Sequence, residues 1–208
     1  MAIKTDMSKA YDRLEWSFYL RVLKANGFNE HVCTLIMNCV TSVSYSILLN
    51  GAPLAPFNPK RGLRQDDLLS PFLYIMYSEV LLKLIIKAKS RGDLTGVKVS
   101  RNAIPITHLF YADDAIFFCK ANLQNVVAFT DCITKYEKWS GQMVNKQKSG
   151  LDFSPNTQLR SKEEQKNMLE MNLLGHNEKH LGNPFFFTAR KRRDFQFLRE
   201  KIIACLEG

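Results

Sequence analysis

The chain has 208 residues, of which 46% are hydrophobic and 11% aromatic, which excludes a disordered chain and predicts one globular domain with a substantial core. Its formal net charge of +9 favours a polyanionic partner, either nucleic acid or an anionic membrane surface. The five cysteines have no C-x-x-C spacing and are expected to be reduced and mostly buried, as in the nucleus or cytoplasm. The N-terminus shows no export signal, and the longest apolar run contains Pro71, Glu79 and Lys83, which favours a core helix over a membrane span.

Apolar residues at helical spacing predict several helices along the chain. The first is expected to begin just after Asp6 and to end at Asn26-Gly27. Ser161 and Glu164 resemble a capping box that opens a polar helix reaching to about residue 174. Three further helices are expected at 29–41, 68–90 and 122–140.

The segments between the helices have the composition of short strands. SYSILL runs into Asn50-Gly51, the strongest short signal for a hairpin. Single strands are expected at 3–7 and 96–100. A hairpin is expected at 107–119 and a pair of strands at 143–154. This order of elements is typical of an α+β domain in which helices cover a mostly antiparallel sheet.

Two adjacent aspartates, Asp113 and Asp114, lie between the apolar runs LFYA and AIFF at the tip of the predicted hairpin. Aspartate is common in tight turns, so a purely structural turn is one interpretation. A cation site is the other, because two like charges at the end of an apolar sheet repel each other unless a cation offsets them, and Mg²⁺ prefers carboxylate oxygens. If the strand at 3–7 lies beside the hairpin, Asp6 completes a set of three carboxylates. Such a set can hold the two metal ions that polymerases and nucleases use for phosphoryl transfer.

Five segments, in this order, resemble the palm of reverse transcriptases from LINE-type, non-LTR retrotransposons, which are abundant in plant genomes. They are DMSKAYD (6–12), RGLRQDDLLSP (61–71), FYADD (110–114), SGQMVNKQKS (140–149) and KHLGNP (179–184). The resemblance covers nearly the whole chain. It implies a palm-like core at 1–150, followed at 151–208 by the connection to the thumb and the start of the thumb. It also implies RNA-directed DNA synthesis, with two Mg²⁺ ions as cofactors and with an RNA template, a DNA primer and dNTPs as partners rather than a membrane.

The resemblance further implies roles for individual residues. Asp6, Asp113 and Asp114 match the aspartates that bind the metal ions, and Tyr11 matches the aromatic residue that faces the sugar 2′ position. Lys148 matches a lysine proposed to protonate the departing pyrophosphate. The residues that match the segment lining the nascent base pair and the template are Arg61, Arg64 and Gln65. Without the resemblance, Tyr11 would be interpreted as a core aromatic residue and the basic residues as solvated surface charges.

The chain departs from the family pattern at two positions. Asp66 stands where the family has glycine and Leu68 where it has proline. Asp66 adds a side chain and a negative charge beside Gln65, which predicts weakened binding of nucleotide and template. Since the chain begins shortly before Asp6 and stops soon after residue 184, it is expected to be a fragment with incomplete fingers and thumb and with weak or no activity.

Two other functions are compatible with the same residues. The first is a non-catalytic retroelement remnant that binds nucleic acid nonspecifically through its positive charge. The second is a metal-dependent nuclease that uses the same carboxylates.

Overall fold

The structure is a computed structural model that describes residues 1–111, 114–175, 177–187 and 194–207. It divides into two compact units, Met1–Asn172 and Leu173–Gly208. The helices of the described residues are α1 (Trp16–Ala25), α2 (Glu30–Thr41), α3 (Ser70–Ser90), α4 (Leu123–Ser140), α5 (Leu159–Leu169) and α6 (Gln196–Glu207). The strands are β1 (Ala2–Thr5), β2 (Leu48–Leu49), β3 (Ala52–Pro53), β4 (His108–Tyr111), β5 (Asp114–Phe118), β6 (Gly150–Asp152), β7 (Asn172–Leu173), β8 (Lys179–His180) and β9 (Asn183–Pro184).

Five of the strands form one sheet in the order β4-β5-β1-β6-β7. β1 pairs with β5 on one side and with β6 on the other, and β4 pairs with β5, all antiparallel. The predicted α+β fold with a mainly antiparallel sheet is therefore confirmed. It is also confirmed that the strand at the N-terminus lies beside the hairpin that carries Asp114.

Helices cover this sheet and bury its apolar side chains. Phe117 of β5 packs on Phe129 of α4, with ring centroids 5.0 Å apart. A group of buried tyrosines connects the helices, since Tyr77 of α3 lies 6.4 Å from Tyr19 of α1 and 6.1 Å from Tyr136 of α4, measured between ring centroids. Burial of these large rings is a main source of stability for the first unit.

Several local predictions are confirmed. The helices predicted at 29–41, 68–90 and 122–140 are present, and Asn29 and Asn122 cap the first and last of them by accepting backbone hydrogen bonds. Asn50 and Gly51 connect β2 to β3 with φ angles of 49° and 83°, as the tight two-residue hairpin requires.

The start of the first helix was predicted wrongly. α1 begins at Trp16, and the residues after Asp6 form turns in which Lys9 has a φ of 52°. The Asp12 and Arg13 amides both donate to the Lys9 carbonyl, and other backbone groups of this stretch bond to distant residues. The Ala10 carbonyl accepts from Gln142 Nε2 at 2.5 Å, and the Ser8 amide donates to the Met143 carbonyl at 2.8 Å.

Three other predicted elements differ from the structure. Residues 96–100 contribute only an isolated bridge between Val97 and Ile106. Of the predicted strand pair at 143–154, only β6 and an isolated bridge from Val144 to Met7 form, because residues 145–149 form a turn. Ser161 does not cap α5 but lies inside it and accepts a hydrogen bond from Gln165, while the helix stops at Leu169 because Glu170 takes a φ of 54°.

None of the helices in the described ranges combines the length and the apolar character needed to cross a membrane. The cysteines are free, with Cys33, Cys119 and Cys132 buried and Cys39 and Cys205 exposed.

Candidate active site

The pairing register of β1 and β5 brings two of the predicted aspartates to the same edge of the sheet. Thr5, the last residue of β1, lies opposite Ala115. Extending this register by one residue places Asp6 opposite Asp114, the first residue of β5, and residues directly opposite in antiparallel strands have Cα atoms about 4.5–5.5 Å apart. Both aspartates are half-buried. Asp113, the third predicted carboxylate, lies outside the described residues.

The backbone of Asp6 is fixed from both sides by the turn that precedes β6. The Asp6 amide donates to Ser149 Oγ at 3.1 Å, and its carbonyl accepts from the Asn145 amide at 2.8 Å. Lys148 belongs to the same turn, where its amide donates to the Asn145 carbonyl at 3.1 Å, and it is exposed. The structure thus places Lys148 in the segment that holds Asp6.

Asn145 and Ser149 are positioning residues that the sequence did not single out. Their signal was present, because both lie in the segment SGQMVNKQKS, but only Lys148 in that segment had an expected role. A side-chain hydroxyl that accepts from a backbone 143 residues away is not detectable from local sequence patterns.

The segment RGLRQ lies against the turns that follow Asp6. The Gly62 amide donates to the Leu14 carbonyl and the Leu63 amide to the Tyr11 carbonyl, both at 2.8 Å, while Trp16 Nε1 donates to the Gly62 carbonyl at 2.7 Å. Gly62 has a φ of 90°, and a Cβ atom there would lie 3.0 Å from the Asp12 carbonyl oxygen. Only glycine permits this close approach.

The predicted nucleotide-contacting residues lie along these two segments. The Tyr11 ring is half-buried and stacks on Tyr74 with centroids 4.9 Å apart and a 20° interplanar angle, which fixes its orientation. The Arg61 guanidinium lies 3.6 Å from the Glu15 carboxylate, and both side chains are about half exposed. Arg64 and Gln65 are exposed on the same surface segment.

The two departures from the family pattern also have a structural context. Asp66 is exposed and has a φ of 64°, in the left-handed region that glycine adopts most readily. Leu68 is exposed and precedes α3, and the neighbouring Asp67 accepts a hydrogen bond from the Leu69 amide at 2.8 Å.

The donor atoms at this edge of the sheet suit a hard divalent cation. Asp6 and Asp114 supply carboxylate oxygens, which are the ligands that Mg²⁺ prefers. Among the residues that the structure describes, no group of three or more His, Cys, Asp or Glu side chains could hold a metal ion. Asp113 is outside that set, and the two described carboxylates supply oxygen donors of the kind that a divalent cation binds.

The segment KHLGNP belongs to the second unit. It forms the hairpin of β8 and β9, in which Leu181 and Gly182 have φ angles of 51° and 78°. The Phe185 amide donates to the Glu178 carbonyl at 2.7 Å and extends this hairpin.

Comparison with known proteins identifies the family of the chain. The profile of the family described as reverse transcriptase (RNA-dependent DNA polymerase) matches residues 1–177. The chain is 49% identical over 67 residues to an uncharacterized mitochondrial protein of Arabidopsis thaliana, and these residues are 32% of the chain and 55% of that protein. It is 26% identical over 161 residues to the uncharacterized 149 kDa protein of transposon TX1 from Xenopus laevis, covering 74% of the chain and 12% of that protein. It is 30% identical over 118 residues to a Retrovirus-related Pol polyprotein of retrotransposable element R2DM from Drosophila melanogaster, covering 57% of the chain and 10% of the polyprotein.

The fold is shared with telomerase structures. The TM-score is 0.58 at 16% identity for telomerase from Candida tropicalis in complex with an RNA fragment, covering 75% of this chain and 26% of that one. The apo telomerase of the same species gives 0.57 at 18% identity and covers 76% of this chain and 31% of that one. The chain therefore spans only a part of the length of each of these proteins. Because the family profile matches residues 1–177, the chain belongs to the reverse transcriptase (RNA-dependent DNA polymerase) family, and the proteins it is similar to include retrotransposon polyproteins.

Proposed function

We propose that the chain is the palm part of an RNA-directed DNA polymerase that joins dNTPs to a DNA primer on an RNA template. The observation that carries this proposal is the antiparallel register of β1 and β5, in which Thr5 lies opposite Ala115, because Asp6 follows Thr5 and Asp114 precedes Ala115 at this edge of the sheet. We assign residues 1–150 to the palm-like core and 151–208 to the connection towards the thumb. We also place the activity in the nucleus or cytoplasm, where RNA and dNTPs are available.

Each predicted site residue has a role in this proposal. Asp6, Asp113 and Asp114 would hold two Mg²⁺ ions, which supply activation of the primer hydroxyl and charge stabilisation on the phosphates. Tyr11, held flat on Tyr74, excludes a ribose 2′-hydroxyl by steric contact. Lys148 is an exposed proton donor in the turn that holds Asp6.

The template and the nucleotide contact the segment that follows Pro59. Arg61, Arg64 and Gln65 offer guanidinium and amide donors for phosphate and sugar oxygens. The Asp66 carboxylate adds a negative charge next to them and weakens this binding. The expected activity is therefore low.

Primer extension on an RNA template with Mg²⁺ tests the proposal. We expect Asp6→Asn and Asp114→Asn each to lower nucleotide incorporation by at least about 10²-fold, as the loss of a group that stabilises transition-state charge typically does. Asp152→Asn is the matched control, because Asp152 lies opposite Ala2 at the other end of β1, about 13 Å along the strand from Asp6.

Three results would contradict the proposal. The first is the absence of incorporation by the unmodified chain, which is the outcome expected of a non-catalytic remnant that only binds nucleic acid. The second is incorporation that is unchanged in Asp6→Asn and Asp114→Asn. The third is carboxylate-dependent cleavage of the strand without dNTPs, which would identify a nuclease.

A further inference from the structure

A groove of about 330 Å³ lies beside the segment RGLRQ, and its aromatic residues have no role in the proposed catalysis. Tyr45 precedes β2 and Phe57 follows β3, and both residues line the groove together with Arg61 and Arg64. A pocket of this volume is at the lower end of those that bind small organic ligands and accommodates a single nucleotide base.

The two aromatic residues are held rigidly although their rings are exposed. The Tyr45 amide donates to the Phe57 carbonyl at 2.9 Å, and the Phe57 amide donates to the Tyr45 carbonyl at 2.8 Å. Their ring centroids are 5.9 Å apart with an interplanar angle of 35°, and the residues are 38% and 51% exposed. Fixed, accessible aromatic faces are the surfaces on which proteins stack unpaired bases.

The charged groups of the groove favour an anionic ligand. Two arginines, Arg61 and Arg64, line it together with one carboxylate, Asp12. Glu15 offsets a part of the Arg61 charge, since the two groups are 3.6 Å apart. The groove retains an excess of guanidinium groups beside apolar rings, which is the combination that binds a nucleic-acid strand through both phosphates and bases.

We propose that this groove is a base-stacking subsite for an unpaired nucleotide of single-stranded nucleic acid, with the base on Tyr45 or Phe57 and the adjoining phosphates on Arg61 and Arg64. Binding by stacking is tolerant of sequence, because every base has a π face. The location relates the groove to the reaction, since Gly62 and Leu63 are hydrogen-bonded to Leu14 and Tyr11. The identity of the bound strand rests on the proposed function, in which this strand is the unpaired part of the template.

Fluorescence anisotropy of short labelled strands, without dNTPs or Mg²⁺, tests the subsite on the full chain. The strands are oligouridine, the matching DNA and an abasic strand with the same number of phosphates. We expect at least one of Tyr45→Leu and Phe57→Leu to weaken binding of oligouridine about tenfold, because a tenfold change corresponds to about 1.4 kcal/mol, which lies within the range for stacking of one base on an aromatic ring. Tyr45→Phe is expected to retain the affinity, and binding of the abasic strand is expected to stay unchanged in all ring variants.

The arginines provide an independent measurement. Arg64→Gln is expected to weaken binding of all three strands by the same factor and to reduce the salt dependence of binding by about one phosphate contact. Phe28→Leu is the control for the loss of an exposed ring elsewhere, since Phe28 is also 38% exposed, and it is expected to bind as the unmodified chain does. Thermal unfolding of each variant shows whether it is folded.

The subsite is overturned if folded Tyr45→Leu and Phe57→Leu bind oligouridine as tightly as the unmodified chain. It is also overturned if they lose affinity for the abasic strand to the same extent. A ring-dependent loss confined to DNA would contradict the assignment of the strand as the template. Because Asp114→Asn is expected to bind oligouridine normally, a failure of primer extension and a failure of stacking are distinguishable.

Discussion

Asp66 combines two properties whose effects can be separated, a strained backbone dihedral and a negative charge. Its φ of 64° lies in the left-handed region, which costs residues other than glycine about 1–2 kcal/mol, with aspartate among the better tolerated. Its carboxylate is exposed next to Gln65 and Arg64. The sequence predicted the effect of the charge, and the structure supplies the φ angle at the position where the family has glycine.

We expect Asp66→Gly to raise the free energy of unfolding by about 0.5–1 kcal/mol, because the strain is removed while the unfolded chain gains some entropy. Asp66→Asn removes the charge but keeps a Cβ atom, so its unfolding free energy is expected to stay near that of the unmodified chain. Both variants are expected to bind RNA severalfold more tightly. Urea denaturation and anisotropy measure the two effects. Equal changes of stability in both variants would contradict the dihedral explanation.

At the scale of elements, local patterns predicted those helices and turns whose stabilising contacts are themselves local. Asn50-Gly51 formed a hairpin, and the helices at 29–41 and 122–140 begin at an asparagine that accepts a hydrogen bond from a backbone amide three residues later. The caps and the positive φ angles that define these elements depend on a few neighbouring residues.

Predictions failed where distant segments compete for the backbone. Residues 7–13 belong to the predicted first helix but form turns whose backbone groups bond to 142 and 143, and these residues are adjacent only after the sheet has formed. The turn at 145–149 likewise replaces a strand, because its groups bond to Asp6. The two carboxylates could be proposed as neighbours from the sequence, but only the strand register establishes which residues are opposite.

The packing of residues 13–15 against the end of α4 can be tested at Gly141, the residue that follows α4. It has a φ of 77°, and a Cβ atom there would lie 2.9 Å from the Arg13 carbonyl oxygen and 2.6 Å from Glu15 Cγ. Gly92, after α3, has a φ of 82° and no atom within 4 Å of the same position. We expect Gly92→Ala to cost about 1–2 kcal/mol from the dihedral alone, and Gly141→Ala to cost about 1–3 kcal/mol more from overpacking. Urea denaturation of both variants gives the difference, and equal costs would show that 13–15 does not pack on Gly141.

At the scale of the whole molecule, the buried tyrosines make stability depend on alkaline pH. Burial raises the pKa of Tyr19, Tyr77 and Tyr136 above the usual value near 10, although the hydrogen bond that the Glu15 amide donates to the Tyr77 hydroxyl acts in the opposite direction. Below pH 10 both the folded and the unfolded chain keep these protons. Above it the unfolded chain releases them while the folded chain does not, so stability falls as pH rises.

We expect the free energy of unfolding to fall above pH 10 by about 1.4 kcal/mol per pH unit for each buried tyrosine. Tyr77→Phe and Tyr136→Phe should each reduce the slope by that amount, whereas Tyr111→Phe changes an exposed ring and should leave it unchanged. Burial also raises the pKa of the Cys119 thiol to about 11, a contribution that is the same in all these variants. Urea denaturation between pH 9 and about pH 11.5 provides the slopes. A slope that stays the same in Tyr77→Phe and Tyr136→Phe would contradict the burial of these phenols.

Mn²⁺ binding, followed by the electron paramagnetic resonance signal of the free ion, tests most directly whether Asp6 and Asp114 form one cation site. We expect Asp6→Asn and Asp114→Asn each to weaken Mn²⁺ binding at least about tenfold, and the double variant to lose much less than the two single losses combined, because both carboxylates hold the same ion. Asp152→Asn should bind Mn²⁺ as the unmodified chain does. Unchanged binding in Asp6→Asn and Asp114→Asn, or losses that add independently, would contradict a shared site at the edge of β1 and β5.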